Sequence, residues 1–141
     1  LRREDAKSRF LAGLYNPEAA DDEFNIYHRE KLLDNWYDQG YIITKFKRRI
    51  PVSKRKALNY LIQSTTADLV MERADSLDTF LEDKKSFISH IVHDEIVVDL
   101  ANDERNLIPE IKEIFANNKL DKFLVNLTCG KNYYDLKELK L

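Results

Sequence analysis

The chain has 141 residues, 43% of them hydrophobic and 34% charged, with a formal net charge of −2. That is enough apolar material for one modest domain with a core, which excludes a disordered chain, and the near-balanced charge gives no overall pull toward nucleic acid. The single Cys129 excludes an internal disulfide framework, no Cys/His cluster has zinc spacing, and no apolar run approaches membrane-spanning length. The opening residues LRREDAKSRF lack the apolar centre of a secretory signal, so a reducing compartment is expected.

Three glycines and three prolines point to a helix-rich protein with few tight turns. Residues 2–14 read as a helix ended by Tyr15-Asn16-Pro17, because proline disfavours helical geometry in the residue before it. The acidic stretch Glu18–Glu23 reads as a loop, and Phe24–Gln39 as a second helix stopped by Gly40 in a left-handed cap. Tyr41–Phe46, β-branched and aromatic, reads as a strand. It leads into a run from Lys45 to Lys56 with seven basic residues and no acidic one. A long helix follows from about Ser53, its candidate cap, to Glu82. Strands over Phe87–Val92 and Ile96–Ala101, a helix over Glu104–Asn117 and a strand over Phe123–Thr128 complete an α+β chain with one small antiparallel sheet.

Four groups of residues carry possible chemistry. His93-Asp94-Glu95 interrupts two apolar strands without a glycine. In a continuous strand Asp94 and Glu95 would point to opposite faces, and one would enter the core unpaired at a cost of several kcal/mol; at a turn both can reach solvent. On the long helix Arg55, Asn59 and Gln63 recur at four-residue steps as a polar stripe without a carboxylate, beside an apolar line of Leu58, Ile62, Thr65 and Leu69. Such a stripe is either a solvated face or a set of donors for minor-groove acceptors and sugar oxygens. On the first helix Arg3, Lys7 and Tyr15 share roughly one side, as ordinary surface groups or as a polyphosphate grip. The basic run is a solvated loop or a contact for a phosphate backbone.

In this order, the blocks resemble the C-terminal part of family A DNA polymerases, the group that includes bacterial DNA polymerase I. Arg3-x3-Lys7-x7-Tyr15, within RREDAKSRFLAGLYN, is similar to motif B, the nucleotide-binding helix of the fingers. Arg55-x3-Asn59-x3-Gln63, within RKALNYLIQSTTADL, is similar to the palm helix that touches the primer-template minor groove. His93-Asp94-Glu95, within VHDEIVVDL, is similar to motif C. GYIITKFKRRI at 40–50 resembles the family's strand ending in a threonine and a basic turn, and CGKNYYDL at 129–136 its closing segment.

The resemblance implies a reduced fingers segment over residues 1–39 and the C-terminal part of a palm over 40–141, with the motif C hairpin packed on the long helix. It implies a DNA-directed DNA polymerase that transfers a nucleotide from a dNTP to a primer 3′-OH with two Mg²⁺ ions. Asp94 would hold Mg²⁺, with Glu95 auxiliary and His93 at the primer end. Arg3 and Lys7 would contact the triphosphate, Lys7 also being a candidate proton donor to the leaving pyrophosphate. Tyr15 would sit by the templating base, while Arg55, Asn59 and Gln63 would check base-pair geometry, with Arg48 and Arg49 as further DNA contacts. For Tyr133 and Tyr134 a core or surface reading is as good as any functional one.

Departures narrow the likeness. Leu11 stands where the family carries an aromatic residue facing the nucleotide, which bears on sugar discrimination, and Asn16 and Lys47 stand where it carries glycines. The short span from Tyr15 to Arg55 favours compact, phage-like members, and so the cytoplasm of a bacterial or phage-infected cell. Motif A, with the second metal-binding aspartate, lies upstream of motif B in the family, as does the thumb. The chain, which begins at Leu1, is therefore expected to act only with an N-terminal part, either the other half of a split polymerase or a preceding portion, that covers the apolar surface of half a palm.

Two rival readings remain. A non-catalytic DNA-binding module would keep the stripe and basic run and be indifferent to Asp94→Ala. A metal-dependent phosphodiesterase would use His90, His93, Asp94 and Glu95, although His90 and His93, three apart in a strand, would face opposite ways.

Overall fold

The computed structural model describes residues 2–15 and 29–140. The loop expected at Glu18–Glu23 and the start of the helix expected from Phe24 lie outside them. The fold is mixed α+β, with α-helices and three small antiparallel sheets where one was expected. The chain divides into two compact units, Leu1–Asp68 and Leu69–Leu141.

In the first unit, α1 (Arg3–Tyr15) carries Glu4 and Asp5 in its first turn, where carboxylates complement the helix dipole. Helix α2 (Arg29–Trp36) stops short of Gln39 because Tyr37 and Asp38 turn into strand β1 (Tyr37–Asp38). The hairpin to β2 (Tyr41–Ile43) passes through Gln39 at φ 43° and Gly40 at φ 90°. Positive φ at both central residues is the turn geometry that matches the twist of paired strands. Gly40 thus closes a hairpin rather than capping a helix. Strand β3 (Arg49–Pro51) folds back on β2 with Ile42 opposite Ile50, so part of the basic run is sheet. The strand expected to reach Phe46 ends at Ile43 because the next residues make a tight turn, in which the Lys47 amide donates to the Thr44 carbonyl at 2.8 Å.

Helix α3 (Lys54–Leu81) agrees closely with the expected long helix. Its Ala57 and Leu58 join Leu14, Leu33 and Ile42 in the core of the first unit, with Phe10, Tyr37, Ile50, Val52 and Leu61 packed around them. Burying a side chain such as Leu33 or Ile42 contributes about 1.5–3 kcal/mol, which is what holds so small a sheet against the helices. Ile62, expected on the apolar face, is exposed.

In the second unit, Val70, Ala74, Leu77 and Leu81 are the buried face of α3. Strands β4 (Phe87–Val92) and β5 (Glu95–Asp99) form an antiparallel hairpin with a bulge between Ile88 and His90. The bulge is needed: Ile88 and Ile91 are an odd number of residues apart, and the extra residue, Ser89, returns both to the face they share with Ile96 and Val98.

The helix expected over Glu104–Asn117 begins late. Asn102–Leu107 is a 3₁₀ segment kinked at Glu104, and α4 (Ile108–Ala116) starts only where Pro109 fits the first turn, a position that needs no amide donor. Arg73 donates to the Asn117 carbonyl at 2.6 Å and to that of Ile114 at 3.4 Å, satisfying the helix's last acceptors. The strand expected over Phe123–Thr128 is reduced to β6 (Thr128–Cys129), paired with β7 (Lys137–Glu138). Residues 123–127 have β-forming side chains but no strand alongside them among the described residues, and Leu124 is 90% exposed.

Candidate functional site

The answer to how a chain turns a hairpin on His93-Asp94-Glu95 is strain at one residue. Val92 pairs with Glu95, which leaves His93 and Asp94 as a two-residue turn. His93 takes φ 55°, a left-handed conformation that costs a non-glycine residue roughly 1–2 kcal/mol. Asp94 is lifted to the tip, exposed, and Glu95 follows as the first residue of β5, also exposed. His93 belongs to the turn rather than a strand. His90 is engaged elsewhere: its Nδ1 shares a hydrogen bond with Ser89 Oγ at 2.9 Å, and its ring stacks on Tyr133 at 5.6 Å between centroids. Tyr133, which carries that stack, is still 52% exposed, and Tyr134 is 96% exposed, so both are surface residues.

Asp94 and Glu95 offer hard oxygen donors of the kind Mg²⁺ takes, and their place at the tip leaves room for water and phosphate to complete a shell. Two side chains are a partial ligand set. Among the described residues no group of three or more His, Cys, Asp or Glu side chains could hold a metal ion.

In the first unit, Arg3, Lys7, Leu11 and Tyr15 fall at four-residue steps along the exposed side of α1, whose other side sinks Leu14 into the core and packs Phe10 against it. On α3, Arg55 and Gln63 are exposed and Asn59 half-buried, and the Gln63 amide donates to Asn59 Oδ1 at 3.3 Å. This bond orients two of the three stripe residues before any ligand arrives.

Arg48 and Arg49, both in the basic run, differ in surroundings. The Arg49 guanidinium lies over the Tyr41 ring at 4.0 Å. Arg48 pairs through Nε with Asp68 Oδ1 at 3.0 Å and donates through Nη2 to the Ser64 carbonyl at 3.3 Å. Buried Thr44 donates to Asp68 Oδ2 at 3.0 Å.

Sequence reasoning missed Asp68, and it missed a second polar knot. The Glu104 carboxylate accepts from the Ser86 amide at 2.8 Å, the Ser86 hydroxyl at 2.6 Å and the Lys85 amide at 3.0 Å. The Ser86 hydroxyl, donated to Glu104, in turn accepts from the Ala101 amide at 3.0 Å, so the two ends of the β4–β5 hairpin meet at one buried serine. The Ser86 hydroxyl first, and then the Lys85 amide, hold the Glu104 carboxyl below its ordinary pKa. Both partnerships span many residues, and no local motif signals them.

No family model matches the chain, and no curated protein or solved structure matches it. Among the described residues no helix is long and apolar enough to cross a membrane.

Proposed function

We propose that the chain is the C-terminal part of a family A-type, template-directed DNA polymerase, with a partial palm and a reduced fingers segment. The observation that carries this reading is the strained two-residue turn that holds Asp94 at an exposed tip with Glu95 beside it. A hairpin has cheaper ways to turn, since Asn-Gly or Asp-Gly accepts positive φ without penalty, and strain retained at a charged tip is a mark of function.

In this reading Asp94, assisted by Glu95, would hold Mg²⁺ together with a carboxylate from the N-terminal part. When bound, the metal supplies Lewis-acid stabilisation of charge developing on the transferring phosphoryl group. The chain's own residues do the rest. Arg3 and Lys7 bind the triphosphate, and Lys7 is the candidate to give a proton to the departing pyrophosphate. Leu11 and Tyr15 border the nucleotide, and His93 orients the primer end. Arg55, Asn59 and Gln63, with Arg49, bind primer-template DNA and test pair geometry through minor-groove acceptors that every correct pair presents. Lys47 supports the likeness: it stands at the family's glycine and takes φ 64°, a conformation in which glycine is free.

The second carboxylate and the thumb come, in this proposal, from an N-terminal polymerase part. Phe87, Val92, Phe123, Leu124, Tyr134 and Leu136, all exposed, offer the second unit's apolar surface for it to cover.

The test is extension of a primer-template by the chain alone, and by the chain combined with the polypeptide encoded immediately upstream, with dNTPs and Mg²⁺. The proposal expects synthesis only from the combination. Nucleotide release without dNTPs points to a phosphodiesterase instead, and DNA binding with no synthesis in any combination points to a binding module.

A further inference from the structure

The basic run between Lys45 and Lys56 contains no acidic residue to neutralise it, yet its side chains do not all face one task. Arg48 is spent internally on Asp68 and Ser64. Thr44, 1% exposed, accepts from the Arg48 amide at 3.2 Å while donating to Asp68, so both carboxylate oxygens of Asp68 are engaged and the turn is closed around a buried hydroxyl. The Thr44 amide to Arg48 carbonyl bond at 2.9 Å locks the same turn through the backbone. What the lock presents is Lys45 and Lys47, both exposed and without an ion pair among the described residues, with Lys47 forced to φ 64°.

We infer that the turn over Lys45–Lys47 is a docking point for the phosphodiester backbone of duplex DNA, that Asp68 is its positioning residue, and that Arg48 fastens it rather than touching DNA. The inference rests on the DNA-binding reading above and refines it. Two lysines on a rigid, open turn present point charges on the surface rather than a convergent pocket, which suits a ligand with repeated, surface-borne charge more than a single captured phosphate. The fastening supplies the register. Arg48 ties the turn to α3 at Ser64, so the turn is fixed to the same helix that carries the Arg55-Asn59-Gln63 stripe. The stripe meets the groove, and the lysines meet the backbone beside it.

Fluorescence anisotropy of the full chain with a labelled DNA duplex, across a salt series, tests this. In Lys45→Gln/Lys47→Gln the slope of log affinity against log salt should shrink by about 1.8, two phosphate contacts at about 0.9 each. The affinity lost between about 50 and about 200 mM salt then falls by about tenfold. Arg48→Gln should lower the melting temperature and, because both lysine charges remain, reduce the slope of the folded protein by less than one contact. A wild-type slope in the double lysine variant, with duplex binding intact, overturns this inference alone. So does an Arg48→Gln slope reduced by a full contact. A wild-type chain that does not bind duplex DNA overturns the inference together with the DNA-binding reading.

Discussion

A few polar residues do work that their immediate neighbours in sequence do not announce. Thr44 shows in the sequence as a β-branched strand residue before the basic turn, but its hydroxyl is the hub of that turn. Thr44→Val keeps the shape and leaves the Arg48 amide and one Asp68 oxygen short of a partner, so it should cost about 1–3 kcal/mol, measured by thermal or urea unfolding. Glu104 is a second such residue. Its folded pKa lies below its ordinary value, so its contribution to stability is fully present above that value and is lost as pH falls through the ordinary range, about 4, and on through the lowered one. Glu104→Gln should therefore be less stable than wild type at neutral pH and show a flatter fall in melting temperature between about pH 5 and pH 3. Equal acid limbs in the two proteins would show that this carboxylate is not held by Ser86 and Lys85. The turn at Asp94 and the helical spacing of the α1 and α3 stripes, by contrast, are legible in the sequence, because each depends only on local pattern.

Among elements, those set by local periodicity were legible and those set by partners were not. The long helix and the β4 strand are legible almost to the residue, since a long run without glycine or proline and a β-branched run specify them locally. The misread elements share one cause. Gly40 is a hairpin turn because β1 finds β2, Arg49–Pro51 is a strand because β2 is there to pair with it, and residues 123–127 are not a strand because, among the described residues, only their two ends bond to other backbone, at Ala116 and Leu139. The late start of α4 had a visible signal in Pro109. Gly40 offers a clean test of the hairpin: a Cβ there meets nothing within 4 Å, so Gly40→Ala carries only the backbone penalty of φ 90°. It should destabilise the protein by about 1 kcal/mol or somewhat more, with no cavity or clash involved. A neutral result in a chemical denaturation series would mean that this turn does not hold its geometry in solution.

For the whole molecule, the sequence indicated an α+β chain but not its division into two units with three separate small sheets. Sheets of two or three short strands draw little stability from themselves, so the units depend on modest helix-backed cores while a good deal of aromatic and aliphatic surface stays exposed. Folding and proposed chemistry are largely separate: Thr44 and Asp68 within the first unit, and Ser86 and Glu104 within the second, make internal bonds and are not among the residues assigned to touch substrate, metal or DNA. Asp94 sits at the exposed tip of its turn with no partner among the described residues, so Asp94→Ala should change stability by no more than about 0.5 kcal/mol. Its effect on primer extension, measured with the chain combined with the upstream-encoded polypeptide, is the most direct test of the proposed function. The account predicts that the variant folds and binds DNA as wild type does while extension falls by about a hundredfold or more; extension at the wild-type rate would contradict it.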